Sequence, residues 1–173
     1  MPYSMSQTAL PTFEIGLNAL SGVLDKAAAY AAAKKVDPAV LLGYRLAPDM
    51  FALARQVQVA CDQAKNGSAR LASAEAPKFE DNETTLDQLK QRVAKTVAYL
   101  KTLDSKAIDA AADREITFPL GPKQGQMIGA DYLNHFVLPN FYFHLTAAYA
   151  IVRHCGVEVG KRDFLGGIPI KRI

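Results

Sequence analysis

The chain has 173 residues, of which 50% are hydrophobic and 21% are charged, and its formal net charge is +3. This length and balance predict a single globular domain over residues 1–173 with a sizeable core, and they exclude intrinsic disorder. Lysine and arginine are scattered and form no stripe interleaved with aromatic residues. Nucleic-acid binding is therefore not expected.

Neither a membrane span nor a signal peptide is visible in the sequence. No apolar run is long enough to cross a bilayer, and the first ten residues lack a charged start followed by an apolar block. The two cysteines, Cys61 and Cys155, each lie within a helical pattern and are expected to be free, buried and unreactive thiols. We therefore expect a cytoplasmic protein without membrane contacts.

Three helical segments are predicted in the first half of the chain. The first long helix is predicted over residues 11–35, with Pro11 in its first turn, where a missing amide hydrogen costs least. A short helical turn is predicted over 38–43. The second long helix is predicted over residues 48–72, where apolar residues recur at three- and four-residue steps.

Two polar residues of the second long helix stand out. Asp49 falls in its predicted first turn, where an acidic side chain complements the helix dipole. Gln56 falls on the inward face of the same helix. Since a buried amide needs hydrogen-bond partners, Gln56 is either part of a structural hydrogen bond or lines a cavity.

The third long helix and a β-hairpin follow. The helix is predicted over residues 84–103, with a capping-box start in which Asp87 replaces the usual glutamate. Residues 104–113 form a weaker link. Over residues 114–128, alternating apolar residues and glycine-proline turn chemistry predict a two-stranded hairpin that packs on the helices.

The last long helix, predicted over residues 131–155, carries the strongest candidate for a site. Its spacing places Asn140 and His144 one turn apart on the face that points into the core. Pro139 lacks an amide hydrogen, so a kink and a free backbone carbonyl are expected beside this pair. We therefore expect any polar pocket of the protein to lie here.

The three histidines of the chain all fall in this helix, but they cannot bind one metal ion together. At about 100° per residue, His135 lies opposite His144, and His154 lies roughly 80° from it. Only His144 is expected to point inward. Any further ligand must come from another helix.

Residues 157–173 form a glycine-rich tail that is expected to pack on the domain. Phe164 and Leu165 are its apolar anchors, while Arg162 and Asp163 can hydrogen-bond to the backbone. A dimer contact is the alternative role of this tail. Together the segments predict an all-α protein, an up-down four-helix bundle with a small β-hairpin inserted between the third and fourth long helices.

Two strings of the sequence, LAPDMFALARQVQ and NFYFHLTAAYAIVRHCGVEVGKRDFLG, resemble an uncharacterised bacterial family of domain-of-unknown-function proteins. That family belongs to the DinB-like (YfiT-like) superfamily of four-helix bundles. The resemblance implies a metal position, since many superfamily members bind zinc or nickel through three histidines. One comes from the second helix and two lie one turn apart on the fourth. In this chain the three positions fall at Gln56, Asn140 and His144.

The three positions implied by the resemblance, together with Asp49 from the start of the second long helix, give a candidate pocket of Asp49, Gln56, Asn140 and His144 in which His144 is the one metal candidate. Neutral amides are poor zinc ligands, so no tightly bound cofactor is expected. A weakly bound zinc or nickel ion would need Asp49 or a free backbone carbonyl as an additional ligand. The alternative is a buried polar cluster in which the amides and the imidazole satisfy one another.

The sequence is compatible with three functions. The first is a non-catalytic binding or structural homodimer with a degenerate metal site. The second is a divalent-metal-dependent enzyme, of the thiol-dependent S-transferase or hydrolase type implied by the resemblance, acting on a small molecule. The third is a carrier of a small-molecule ligand in a cavity beneath Pro139. Five aromatic residues could line that cavity, and packing in the core and at an interface is the favoured alternative for the same rings: Phe136, Phe141, Tyr142, Phe143 and Tyr149.

Overall fold

Eight α-helices, one π-helical segment and one β-hairpin are found in the computed structural model, which describes residues 4–170. The helices before the hairpin are α1 (Met5–Lys34), α2 (Pro38–Gly43), α3 (Leu53–Ala72), α4 (Leu86–Leu100) and α5 (Ser105–Asp109). The hairpin comprises β1 (Glu115–Leu120) and β2 (Lys123–Ile128). It is followed by α6 (Gly129–Asp131), the π-helical segment Tyr132–Val137, α7 (Leu138–His154) and α8 (Lys161–Leu165).

The four long helices α1, α3, α4 and α7 enclose the core. Helix α1 packs mainly on α4 and α7, and α3 packs on the same two helices, so α1 and α3 lie across the bundle from each other. Phe13 of α1 meets Phe141 of α7 edge to face at 5.0 Å between ring centroids. Gly16 leaves room for the Phe141 ring. The predicted fold class, a helical bundle with a small hairpin before the last long helix, is confirmed.

Helix α1 begins six residues before the predicted start, so that boundary was wrong. Ser4 caps the helix by accepting a hydrogen bond from the backbone N–H of Gln7 at 3.3 Å. The carboxylate of Asp109 accepts from the backbone N–H and the hydroxyl of Ser6 at 2.8 and 3.0 Å. These contacts stabilise a turn that the apolar spacing does not report, and Pro11 lies inside the helix.

Helix α3 begins at Leu53, five residues after the predicted start. The chain before it makes a turn in which the Arg45 guanidinium donates to the carbonyls of Pro48 and Met50 at 3.4 and 3.3 Å. Asp49 is exposed in this turn. The prediction that it lies in the first turn of a helix was therefore wrong.

The start of α4 is a capping box with partners other than those predicted. Thr85 is the N-cap residue, and its hydroxyl accepts from the backbone N–H of Gln88 at 3.2 Å. The Gln88 side chain accepts from the backbone N–H of Thr85 at 3.1 Å. Gln88, and not Asp87, therefore completes the box, and the helix ends at Leu100 before the predicted Leu103.

The predicted hairpin is confirmed. Strands β1 and β2 are antiparallel, with Ile116 opposite Met127 and Phe118 opposite Gly125. The Phe118 ring lies over Gly125, where an added Cβ would be 2.9 Å from the ring. Phe118 also packs against Tyr132, with ring centroids 4.8 Å apart. This aromatic contact attaches the hairpin to the π-helical segment.

The C-terminal segment packs on α1 and α7. Phe164 of α8 contacts Tyr149 edge to face at 5.6 Å, whereas Leu165 remains 37% exposed. Asp163 forms an ion pair with Lys26 of α1 at 2.7 Å and accepts from the backbone N–H of Gly160 at 2.8 Å. Residues 171–173 of the tail lie outside the described part of the chain. Among the described helices, none is long and apolar enough to span a membrane.

Candidate functional site

The candidate site is built on the contact between α3 and α7. Helix α7 turns His144 toward the core, where it is only 8% exposed, and α3 turns Gln56 toward it. The Nδ1 atom of His144 and the Oε1 atom of Gln56 lie 2.7 Å apart, a hydrogen bond between residues 88 positions apart in sequence. The structure therefore joins two of the four predicted pocket residues directly.

The hydrogen bonds around Gln56 determine which imidazole nitrogen carries the proton. The Gln56 amide nitrogen donates to the carbonyl of Phe51 at 3.2 Å, so the amide oxygen faces His144. An amide oxygen can only accept, which requires the hydrogen on Nδ1 of the imidazole. In the neutral form of His144 the lone pair is then on Nε2.

The surroundings of His144 favour this neutral form. Burial lowers the pKa of His144 below its usual range, and the positive charge of Arg55 lowers the pKa further. The ring of Phe51 stacks on the imidazole at 6.3 Å between centroids, and the Arg55 guanidinium lies 5.8 Å from the Phe51 ring. The Phe143 ring lies closer still, with its centroid 5.1 Å from that of the imidazole, so aromatic rings and a positive charge surround His144.

Asn140 makes a different contact from the one the pocket hypothesis needs. Its amide nitrogen donates to the backbone carbonyl of Phe136 at 2.7 Å. The helix departs from α geometry in the π-helical segment just before Pro139, which occupies one of the first two positions of α7. Asn140 therefore donates within its own helix, and no hydrogen bond joins it to His144 in the described part of the chain.

Asp49 does not reach the pair. It is exposed in the turn before α3, and no hydrogen bond or ion pair joins its carboxylate to any of residues 4–170. Within the same described range, no three His, Cys, Asp or Glu side chains lie close enough together to hold a metal ion. The site that remains is the pair of Gln56 and His144.

The other two histidines lie apart from His144, as helix geometry predicts. The His135 side chain is 70% exposed and lies 3.7 Å from Asp131 on its own helix face. His154 is exposed and lies against Tyr44, with ring centroids 5.7 Å apart. The three imidazoles point in different directions, so they form no common ligand set.

The aromatic residues proposed to line a cavity mainly fill space. Phe136 packs on Phe118 at 4.4 Å, Phe141 packs on Phe13, and Tyr149 packs on Phe164. For these three rings the structure shows packing against other aromatic rings, which is the packing alternative. Two others remain at the surface: Tyr142 is 44% exposed and Phe143 is 59% exposed.

An apolar surface that helical spacing does not predict lies between the segment before α3 and α7. Next to Tyr142 and Phe143, the segment before α3 leaves Leu46 42% exposed and Phe51 50% exposed. An open groove of about 420 Å³ runs between this segment and α7. The available signal was the string LAPDMF, which has large apolar residues in a stretch without helical spacing.

The thiols add no catalytic chemistry to the site. Burial raises the pKa of Cys61 to about 12, so the thiolate that acts as a nucleophile does not form near neutral pH. Cys155 is only partly buried, so the prediction that it is buried was wrong, but desolvation still raises its pKa. The predicted unreactive character of both thiols agrees with these environments.

The buried imidazole predicts a pH-dependent stability. The pKa of His144 is lower in the folded chain than in the unfolded chain. The contribution of the neutral imidazole to the free energy of unfolding is therefore fully present above about pH 6.5 and is lost as the pH falls toward the lowered pKa. The urea midpoint should fall between pH 7.5 and 5.5, and the fall should be smaller in His144→Gln. The exposed His135 offers the control, since His135→Gln should keep the wild-type profile.

Comparison with known proteins agrees with this structure. The family model described as "Domain of unknown function (DUF1993)" matches residues 5–165. No curated protein matches the chain. A crystal structure of a DinB family member protein from Shewanella denitrificans is 44% identical, covers 98% of this chain and 96% of its own, and superposes with a TM-score of 0.91. The chain therefore belongs to the DUF1993 family of uncharacterised, DinB-like helical-bundle proteins.

Proposed function

We propose that this protein is a non-catalytic binding or structural protein in which the metal position of the DinB-like bundle has become a hydrogen-bonded pair. The observation that carries the proposal is the 2.7 Å contact between Gln56 Oε1 and His144 Nδ1. In this pair the glutamine orients the imidazole and satisfies its N–H. Gln56 thus hydrogen-bonds to the imidazole and does not serve as a metal ligand.

The residues present do not fit a tightly bound zinc or nickel ion. A metal at His144 Nε2 would need two or three more donors, and imidazole, thiolate or carboxylate are the groups that hold zinc well. The Gln56 oxygen already accepts from His144, and the Asn140 amide nitrogen donates to a backbone carbonyl. The positive charge of Arg55, which lowers the pKa of His144, also disfavours a cation there. The metal-dependent enzyme is accordingly the less supported alternative.

The exposed apolar surface supports the homodimer as part of this proposal. Leu46, Tyr142 and Phe143 line the open groove, Phe51 lies in the same segment as Leu46, and all four are more than 40% exposed. A patch of large apolar side chains is typical of protein interfaces and costs solubility in a monomer. Sedimentation equilibrium should give twice the mass of the chain, and Phe143→Arg should give the monomer mass. A monomeric wild-type protein would contradict the dimer.

The pair of free cysteines supports a reducing compartment such as the cytoplasm as the place of action. A small-molecule ligand in the open groove remains compatible with the non-catalytic reading, because the groove is lined mainly by apolar side chains. In the homodimer and in the ligand carrier alike, the protein binds a partner and catalyses no reaction.

Titration of the metal-free protein with zinc and nickel tests the central part of the proposal. Isothermal titration calorimetry should find no site with a Kd below about 1 μM, since one imidazole supplies too little binding free energy. The His144→Ala variant should give the same isotherm as the wild type. A stoichiometric site with a submicromolar Kd that disappears in His144→Ala would refute the proposal.

A further inference from the structure

The segment between α3 and α4 is attached to the bundle in an unusual way. We call residues 75–83 the strap. All of its residues are described by the structure, and within it no backbone N–H or carbonyl bonds to another backbone group. None of its apolar side chains belongs to the core or packs against it. The strap is therefore held by other contacts.

Two buried cations hold the strap. Arg92 of α4 is 3% exposed and Lys65 of α3 is 4% exposed. Lys65 donates to the carbonyl of Pro77 at 2.9 Å, and Arg92 donates to the carbonyl of Glu80 at 3.2 Å. The Phe79 ring lies between the two cations, 4.2 Å from Lys65 Nζ and 5.4 Å from the Arg92 guanidinium. Both cations thus donate hydrogen bonds to strap carbonyls and contact the Phe79 ring.

Carboxylates of the strap complete this network. Asp81 and Glu83 each form an ion pair with Arg92 at 2.9 Å, and Glu83 also accepts from Gln58 at 2.9 Å. Asp81 forms a second ion pair with Arg55. Hydrogen bonding to Arg92 lowers the pKa of Glu83 despite its partial burial. When the strap leaves, Asp62 of α3 is the carboxylate that stays with Arg92 and Lys65.

We propose that the strap is a detachable cover, which opens as a local unit while the four-helix bundle stays folded, and that the Arg92 network sets how often it opens. The reason is that opening breaks polar contacts and leaves the apolar core of the bundle unchanged. A segment with few apolar contacts opens at a lower free energy than the whole domain. The open state uncovers a groove between α3 and α4 in which Arg55, Lys65 and Arg92 outnumber Asp62.

This inference does not rest on the proposed function, since neither Gln56 nor His144 contacts the strap, and Arg55 is the residue that the two regions share. It concerns a different face of α3, on which Gln58, Asp62 and Lys65 recur at helical spacing. The two proposals can therefore fail separately.

Native-state proteolysis with trypsin tests the strap in the full-length protein. Lys78 is exposed at the centre of the strap, and cleavage there follows the population of the open form when opening is fast relative to cleavage. We expect a single early cut after Lys78, with both fragments still associated in size-exclusion chromatography. Leu20→Ala, which weakens the core, should leave the rate of this cut unchanged.

Variants of the network provide the second part of the test. Arg92→Met should raise the rate of the Lys78 cut by about tenfold or more, because it removes the shared partner of both carboxylates. Lys90→Met removes a partly exposed ion pair with Asp25 from the same helix and should change the rate by less than about twofold. If Arg92→Met fails to fold, Phe79→Ala takes its place and should also accelerate the cut.

Two results would overturn the proposal. The first is cleavage at Lys78 that is no faster than cleavage at Lys65 inside α3, since both would then report unfolding of the whole domain. The second is acceleration of the Lys78 cut by Leu20→Ala in proportion to the loss of global stability, with Phe79→Ala having no effect. Either result would make the strap part of the cooperative bundle.

Discussion

Replacing Gln56 and Asn140 together by histidine is expected to create a zinc site in a protein that otherwise binds zinc weakly. With Gln56 replaced, the imidazole of His144 can carry its hydrogen on Nε2, so that its Nδ1 lone pair faces position 56. Position 140 lies one turn before His144 on α7. Position 56 faces His144 from α3. We expect the Kd for zinc to fall from weaker than about 100 μM to about 1 μM or tighter, a gain of about 2.7 kcal/mol.

The single variants test whether the gain in zinc affinity requires all three histidines together. Gln56→His alone and Asn140→His alone each supply two imidazoles and should bind zinc less tightly than the double variant. Adding His144→Ala to the double variant should abolish the gain. If the double variant binds zinc no more tightly than the wild type, these three positions do not describe a degenerate metal site.

Gly129→Ala is expected to be among the most destabilising single substitutions in the chain. Gly129 is buried where the hairpin meets α6, and its N–H donates to the carbonyl of Arg114 at 2.8 Å. An added Cβ would lie 1.9 Å from the carbonyl oxygen of Ala111, a backbone atom that cannot rotate away. We expect a loss of about 3 kcal/mol or more in the free energy of unfolding, measured by urea denaturation.

Gly22→Ala is the matched control for this loss. Gly22 lies in the middle of α1 and is exposed, and an added Cβ there meets no atom within 4 Å. Alanine loses less backbone freedom on folding than glycine does, so this variant should gain about 0.5 to 1 kcal/mol. Equal effects of the two substitutions would show that the contact at Ala111 is not a constraint.

The face of the last helix could be predicted from sequence because burial follows local spacing. Leu133, Val137, Phe141 and His144 are buried, as their three- and four-residue steps predict. The hairpin was equally visible, since its alternation and its turn residues lie within one short stretch. These features depend on neighbours in the chain.

The boundaries that were mispredicted depend on contacts that local spacing does not contain. The start of α1 depends on Ser6 and Asp109, which lie 103 residues apart. The start of α3 depends on Arg45, whose guanidinium binds two carbonyls of the preceding turn. Both contacts are polar, and a search for apolar periodicity does not detect them.

The site was predictable in its residues and only partly in its geometry. Helical spacing placed Gln56 and His144 on inward faces, the family resemblance implied that they are neighbours, and the structure joins them. The choice of Asn140 between His144 and a backbone carbonyl depends on the π-helical segment, which no residue pattern announces. The buried positions of Lys65 and Arg92 were missed for a related reason, since lysine and arginine on a helix usually mark a solvated face.

The most direct measurement of the central claim is the proton position on His144 before and after addition of metal. Nitrogen-15 NMR of the imidazole at neutral pH should show the hydrogen on Nδ1, held by Gln56, and one equivalent of zinc should leave both nitrogen signals in place. A large shift of the Nε2 signal at one equivalent, with the ion retained through gel filtration, would contradict the account.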